Sequence, residues 1–209
     1  MRRFTSTLTR HPPPHTALIQ SLNMSRSVLS DATHLLSLLP PPTQQESYTA
    51  VCPVLGASLG GHLRHLHWHL QVAVRPLLLV GGGGPLNYDE RIRRSPIEVD
   101  FRDAVREVGE LDFQLLGIIE RVGRKAGAEE EEGGEDLQAV TVSFNMSSSP
   151  NSTAYQSTAP REVAFAAHHG LHHLAMMKII AEGVGGVEKG KLGGGFGKAP
   201  STVLFEGEG

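Results

Sequence analysis

Eight of the eleven histidines in this chain fall in two short segments, and both segments carry helical periodicity. His62, His65, His67 and His69 lie in GGHLRHLHWHL; His168, His169, His172 and His173 lie in AAHHGLHHLAMM. Imidazole is costly to bury without a partner and is the commonest side-chain metal ligand. Histidines one turn apart on two helices therefore restrict the fold. Either the two helices pack with these faces together, as two halves of a metal site in a helical bundle, or the histidines stay wet or are each satisfied by hydrogen bonds.

A helical wheel separates the eight. At about 100° per residue, His65 and His69 fall within about 60° of His62, while His67 falls about 140° away. His62, His65 and His69 thus share one face, and His67 is expected in solvent. On the second segment, Lys178 and Glu182 mark a wet face. The opposite face holds His169 and His173 together with Met176 and Ile180, with His168 and His172 on the flank or surface. His169 and His173 form an i, i+4 pair, the spacing at which two imidazoles can hold one ion.

Apolar periodicity predicts four long helices, over 16–39, 58–74, 100–125 and 159–182. Pro40 to Pro42 stop the first, Ser58 can cap the second, Pro76 and Gly81 to Gly84 end the second, and Pro160 is acceptable in the first turn of the fourth. A loop is expected from Pro40 to about Leu55. Val140, Val142, Phe144 and Met146 alternate with polar residues, which predicts a short strand, and 147–158 is read as a turn or a second strand. The expected fold class is all-α, a four-helix bundle with a minor β element before the last long helix. Residues 16–187 form the expected bundle. Residues 1–15 are read as a disordered or targeting tail, and 188–209 as an irregular, Gly-rich tail.

Composition narrows the function classes. The single cysteine, Cys52, excludes an intrachain disulfide, a Cys₄ zinc site and a cysteine-ligated iron–sulfur cluster. A net charge of −3 gives no electrostatic reason to expect nucleic acid. No apolar run is long enough to cross a membrane, so neither partner is expected. The first thirty residues are Arg-, Ser- and Thr-rich and lack an acid, as in a mitochondrial transit peptide, but Pro12 to Pro14 argue against a long presequence helix. A cytoplasmic location is expected, with a mitochondrial one as the alternative.

Familiar metal motifs are absent: there is no HExxH, no zinc-deaminase pattern, and no Glu-x-x-His pair of the di-iron carboxylate bundles. Neutral nitrogen ligands favour Zn²⁺, Ni²⁺ or Fe²⁺ over Mg²⁺ or Ca²⁺. Two or three histidines leave coordination positions open, which suits a catalytic site better than a closed structural one. GKLGGGFGKAPS fails the phosphate-loop pattern at Leu192 and Ala199. Asn23, Asn145 and Asn151 begin sequons that are read as chance.

Four motifs in order resemble the DinB-like superfamily of four-helix-bundle metalloproteins, in its uncharacterised branch with G-x-H-x-R-H. They are GGHLRHLHWH at 60–69, NYDERIRR at 87–94, APREVAFAAHHGLHHLAMM at 159–177 and FGKAPST at 196–202. The resemblance implies one ligand from the second helix and a His-x-x-x-His pair from the fourth. Carried over, the pair is His169 and His173, and the second-helix ligand is His65, with His69 and His62 as alternates. Trp68 stands where that branch has Asp, so any support the Asp supplies is missing here. Characterised relatives include thiol-dependent S-transferases and isomerases, in which the metal lowers the pKa of a bound thiol.

The expected function is a divalent-metal-dependent enzyme acting on a small molecule, thiol-dependent transferase or hydrolase-like. The alternative is a non-catalytic metal- or small-ligand-binding bundle whose histidine site is structural or vestigial. A homodimer is left open. In the connector, Tyr88, Asp89, Arg91 and Arg93 either tie down the bundle by salt bridges or, at Arg91 or Arg93, line the pocket and hold an anionic group. Glu162 is either a charge at a helix N-terminus or an acceptor for a ligand imidazole.

Overall fold

Apolar side chains recurring every three to four residues produce the long helices, and the Val-rich alternation before the last of them produces strands. The computed structural model describes residues 14–79, 84–90, 93–128, 139–146 and 152–207. In chain order its elements are α1 (Pro14–Ser37), α2 (Gln44–Thr49), α3 (Leu59–Leu78), β1 (Leu86–Asn87), α4 (Pro96–Val99), α5 (Phe101–Ala128), β2 (Ala139–Asn145), β3 (Ser152–Thr158), α6 (Ala159–Gly183) and α7 (Pro200–Gly207). The described residues are mostly helical, with one small sheet. None of their helices is long and apolar enough to cross a membrane.

The long helices α1, α3, α5 and α6 meet around a shared aliphatic core. α6 packs against both α1 and α3, and α5 closes the ring against the same two. Leu22, Leu29 and Leu36 of α1 meet Leu63, Leu66 and Leu70 of α3, Leu111 and Leu115 of α5, and Leu174 and Met177 of α6 in one cluster. Burying such a side chain stabilises by about 1.5–3 kcal/mol. Two close approaches set the depth of contact. A Cβ at Gly170 of α6 would sit 2.7 Å from Val28 Cγ1 of α1, and one at Gly60 would sit 2.0 Å from the Glu98 carbonyl oxygen of α4. At the surface Arg26 grips Asp112 through two bonds of 2.8 and 3.0 Å, which fixes α1 against α5.

The helix ends follow local chemistry. The Ser58 hydroxyl accepts from the Gly61 amide at 3.1 Å, the expected cap. α3 runs past the expected end, through Pro76 to Leu78. One lost backbone bond near the terminus is outweighed by burial of Val74 and Pro76, and Arg121 donates at 3.0 Å to the Leu77 carbonyl, one of the last-turn carbonyls without a helical partner.

The structure differs from expectation in three further places. The expected loop before Leu55 contains α2, whose Tyr48 is fully buried and donates to the Ile97 carbonyl. Six residues are too short to show a period. The sheet has three strands in the order β1-β2-β3, with β1 parallel and β3 antiparallel to β2. β1 comes from the connector, and two residues carry no strand signal of their own. The Gly-rich C-terminal segment is irregular up to residue 199, as expected, but docks on the core and ends in a short helix, α7. Leu192 and Phe196 join the core, the Lys178 ammonium donates to Gly193 O at 2.9 Å, and Gly197 (φ +72°) lies where a Cβ would meet the Ala175 amide at 2.6 Å. Lys178 and Glu182 on the expected wet face of α6 are half-buried beneath this segment, and residues 200–207 form an exposed helix. The acidic stretch over 129–136, whose sequence reads as a solvated loop, and the sequon at Asn151 lie outside the described residues, as do residues 1–13.

Candidate metal centre

α3 and α6 pack along much of their lengths, which brings the two histidine clusters together. His65, His169 and His173 each offer a ring nitrogen, and these three atoms lie within 4.8 Å of one another. His169 Nε2 and His173 Nε2 face each other at 3.1 Å, and the His65 ring centroid is 4.7 Å from that of His173. In a tetrahedral site with Zn–N of about 2.0–2.1 Å, ligand nitrogens sit about 3.4 Å apart. The three imidazoles are close enough that they could hold one divalent ion.

Burial and neighbouring imidazoles disfavour a proton on two of these rings. Burial first, then the adjacent His169, His65, His62 and His172, lowers the His173 pKa to about 2. Burial and His172 also lower those of His169 and His62. A neutral imidazole presents a lone pair, which is the metal-binding form. His65 and His169 are half-buried, and His172 and His168 are exposed beside them, so one side of the cluster reaches solvent.

The alternates sit close by. His69 is buried, with its centroid 4.4 Å from His65 and 4.2 Å from His169. Four rings, two from each helix, thus form a quadrilateral. His62 faces His173 from the other side, Nδ1 to Nδ1 at 2.9 Å.

His67 contradicts the sequence expectation. It is not in solvent but only 4% exposed. Its Nε2 donates to the Glu107 carbonyl of α5 at 3.2 Å, and burial lowers its pKa to about 4. The wheel assumed a helix with one wet face. α3 is covered by α6 on one side and by α4 and α5 on another, so a residue turned away from the site is buried too. With Arg64, Trp68, Gln71, Ile97 and Glu107, His67 lines a cavity of about 170 Å³ on that second side, which does not include the triad.

Glu162 is fully buried and accepts from the Tyr88 hydroxyl at 3.0 Å, from Ser157 and from Arg161. It anchors the connector and the sheet to α6. Tyr88 in turn stacks on His69, with centroids 4.8 Å apart and planes 24° apart. Burial and the Glu162 charge raise the Tyr88 pKa, so the phenol stays protonated. The sequence placed Tyr88 in a connector that ties down the bundle by salt bridges; its tie is a hydrogen bond to Glu162 and a stack on His69. Its signal was the NYD turn, where Asn87 Oδ1 accepts from the Asp89 amide and Asp89 accepts from the Asn145 amide at 2.6 Å. Arg93 is exposed, and Arg91 lies outside the described residues. Trp68 is half-buried against Val72 and the sheet, with the Arg75 guanidinium 5.8 Å over its ring.

No match is found for this chain among family models, curated proteins or solved structures.

Proposed function

We propose that this chain is a DinB-like four-helix bundle of α1, α3, α5 and α6 that binds one divalent cation through His65, His169 and His173. The observation that carries this is the meeting of three imidazole nitrogens from two helices within 4.8 Å. Zn²⁺, Ni²⁺ or Fe²⁺ suits an all-nitrogen neutral donor set. The open position and the half-exposed rings of His65 and His169 favour a small-molecule ligand and a metal-dependent transferase or hydrolase. When bound, the ion would supply a lowered pKa to a thiol or water at that position.

The protein's own part is positional. α6 holds His169 and His173 one turn apart, and α3 brings His65 to them. The Glu162–Tyr88 pair holds a ring against His69 and closes the inner end of the cluster. Trp68 favours a second function, metal or ligand binding without turnover, because an indole cannot accept the hydrogen bonds that a carboxylate at this place would take.

Metal analysis of the purified full-length protein tests the site. One ion per chain is expected in the wild type and none in the His169→Ala, His173→Ala double variant. Stoichiometric metal in the double variant overturns the assignment. Addition of a low-molecular-weight thiol to the Co²⁺-loaded protein separates the two functions. A new thiolate charge-transfer band supports the thiol-dependent enzyme, and an unchanged spectrum supports the closed, non-catalytic site.

A further inference from the structure

The contact between His62 and His173 has no role in the three-ligand set. His62 Nδ1 lies 2.9 Å from His173 Nδ1, with ring centroids 5.2 Å apart. The other nitrogen of His173, Nε2, faces His169 at 3.1 Å. The two nitrogens of one imidazole point in divergent directions. His173 therefore has one nitrogen on the triad side and one on the His62 side.

A ring nitrogen that holds a cation carries no proton, so the proton of a neutral imidazole sits on the other nitrogen. If Nε2 of His173 serves the triad, Nδ1 carries N–H, and the atom 2.9 Å away must accept it. We propose that His62 is a positioning residue that accepts the Nδ1–H of His173 and so holds that ring with its Nε2 lone pair toward His65 and His169. This rests on the metal-binding role proposed above. It moves His62 from the alternate ligands to a support behind one ligand. Carboxylates and carbonyls commonly fill that place behind metal-bound imidazoles. Here a third residue of the second helix's own histidine face fills it.

Accepting at Nδ1 makes His62 the Nε2–H tautomer, and His62 Nε2 is buried with no hydrogen-bond partner among the described residues, a cost that the contact with His173 has to offset.

The test compares full-length wild type, His62→Ala and His62→Asn, each checked for native helicity by circular dichroism. Zn²⁺ affinity is measured by competition with a chromophoric chelator, and the His173 ring is observed by nitrogen–proton NMR in the Zn²⁺-loaded protein. The wild type is expected to bind one Zn²⁺ and to show a slowly exchanging Nδ1–H on His173. His62→Ala weakens binding about 10- to 100-fold. His62→Asn, whose carbonyl oxygen can accept the same proton, restores most of that loss. Equal affinity in His62→Ala and wild type overturns the positioning role and leaves the metal site standing. Equal weakness in the two variants also overturns it, and makes His62 a ligand. A wild type that binds no Zn²⁺ overturns the metal site itself, and the positioning role with it.

Discussion

His67 and His173 are both buried imidazoles in the same molecule, 4% and 8% exposed, and their surroundings differ in kind. His67 faces the Glu107 carbonyl, which can only accept. That partner sets the tautomer to Nε2–H and satisfies the ring, so its burial is explained by packing alone. His173 is surrounded by His62, His65, His169 and His172. Ring nitrogens can donate to one another only in a tautomer pattern that leaves lone pairs facing inward, and a cation is what such lone pairs attract. Burial of a histidine is therefore poor evidence for a site; the polarity of what it faces is the evidence.

The largest expected effect that breaks or sharpens this contrast is the pH dependence of the metal-free protein. The unfolded His67 takes a proton near pH 6.5 and the folded one near 4. Between these values the unfolded state binds more protons, so stability falls as pH falls, by about 3 kcal/mol over the window. Below about pH 4 both states are protonated and this contribution levels off. His173, lowered further, acts in the same direction to lower pH. Urea unfolding between pH 7 and 4 checks this, and His67→Leu should make the curve shallower there while the contribution of His173 remains.

Zn²⁺ should then separate the two residues. At 100 times its Kd, an ion that binds only the folded state adds about 2.7 kcal/mol. Thermal unfolding should show this gain in wild type and in His67→Leu, and no gain in His173→Ala. A gain that disappears with His67→Leu would place the ion on the wrong side of α3.

In metal-free protein at pH 7, His67→Ala should cost about 1–3 kcal/mol through lost packing and its hydrogen bond, read from the denaturation midpoint. The smallest effect belongs to the support at the inner end of the cluster. Tyr88→Phe keeps the ring on His69 and loses only the bond to Glu162, for about 1 kcal/mol. Its metal affinity should stay within about tenfold of wild type, since none of the three candidate ligands changes.

How much was legible follows from how far each feature reaches along the chain. Helix positions were close, because a 3.6-residue period is local, and the pair His169–His173 needs only one turn of α6. α2 and β1 were not legible, being too short to carry a period. The choice among His62, His65 and His69 could not be made on a wheel that places all three on one face. Glu162 precedes His169 by seven residues, about two helical turns, yet its partners Tyr88 and Ser157 come from segments that meet it only through the sheet.

The amino-acid sequence by itself determined that two helices carry histidines at one-turn spacing, and that no cysteine cluster competes with them. Tertiary structure decided which nitrogens meet. The register and depth of α3 against α6 depend on packing around all of α3's sides, including the close approaches at Gly60 and Gly170. The same packing buried His67 against α5, put His62 behind His173, and brought Tyr88 onto His69. Spacing along a helix is set by backbone geometry; what a side chain faces across a helix interface is set by the partner.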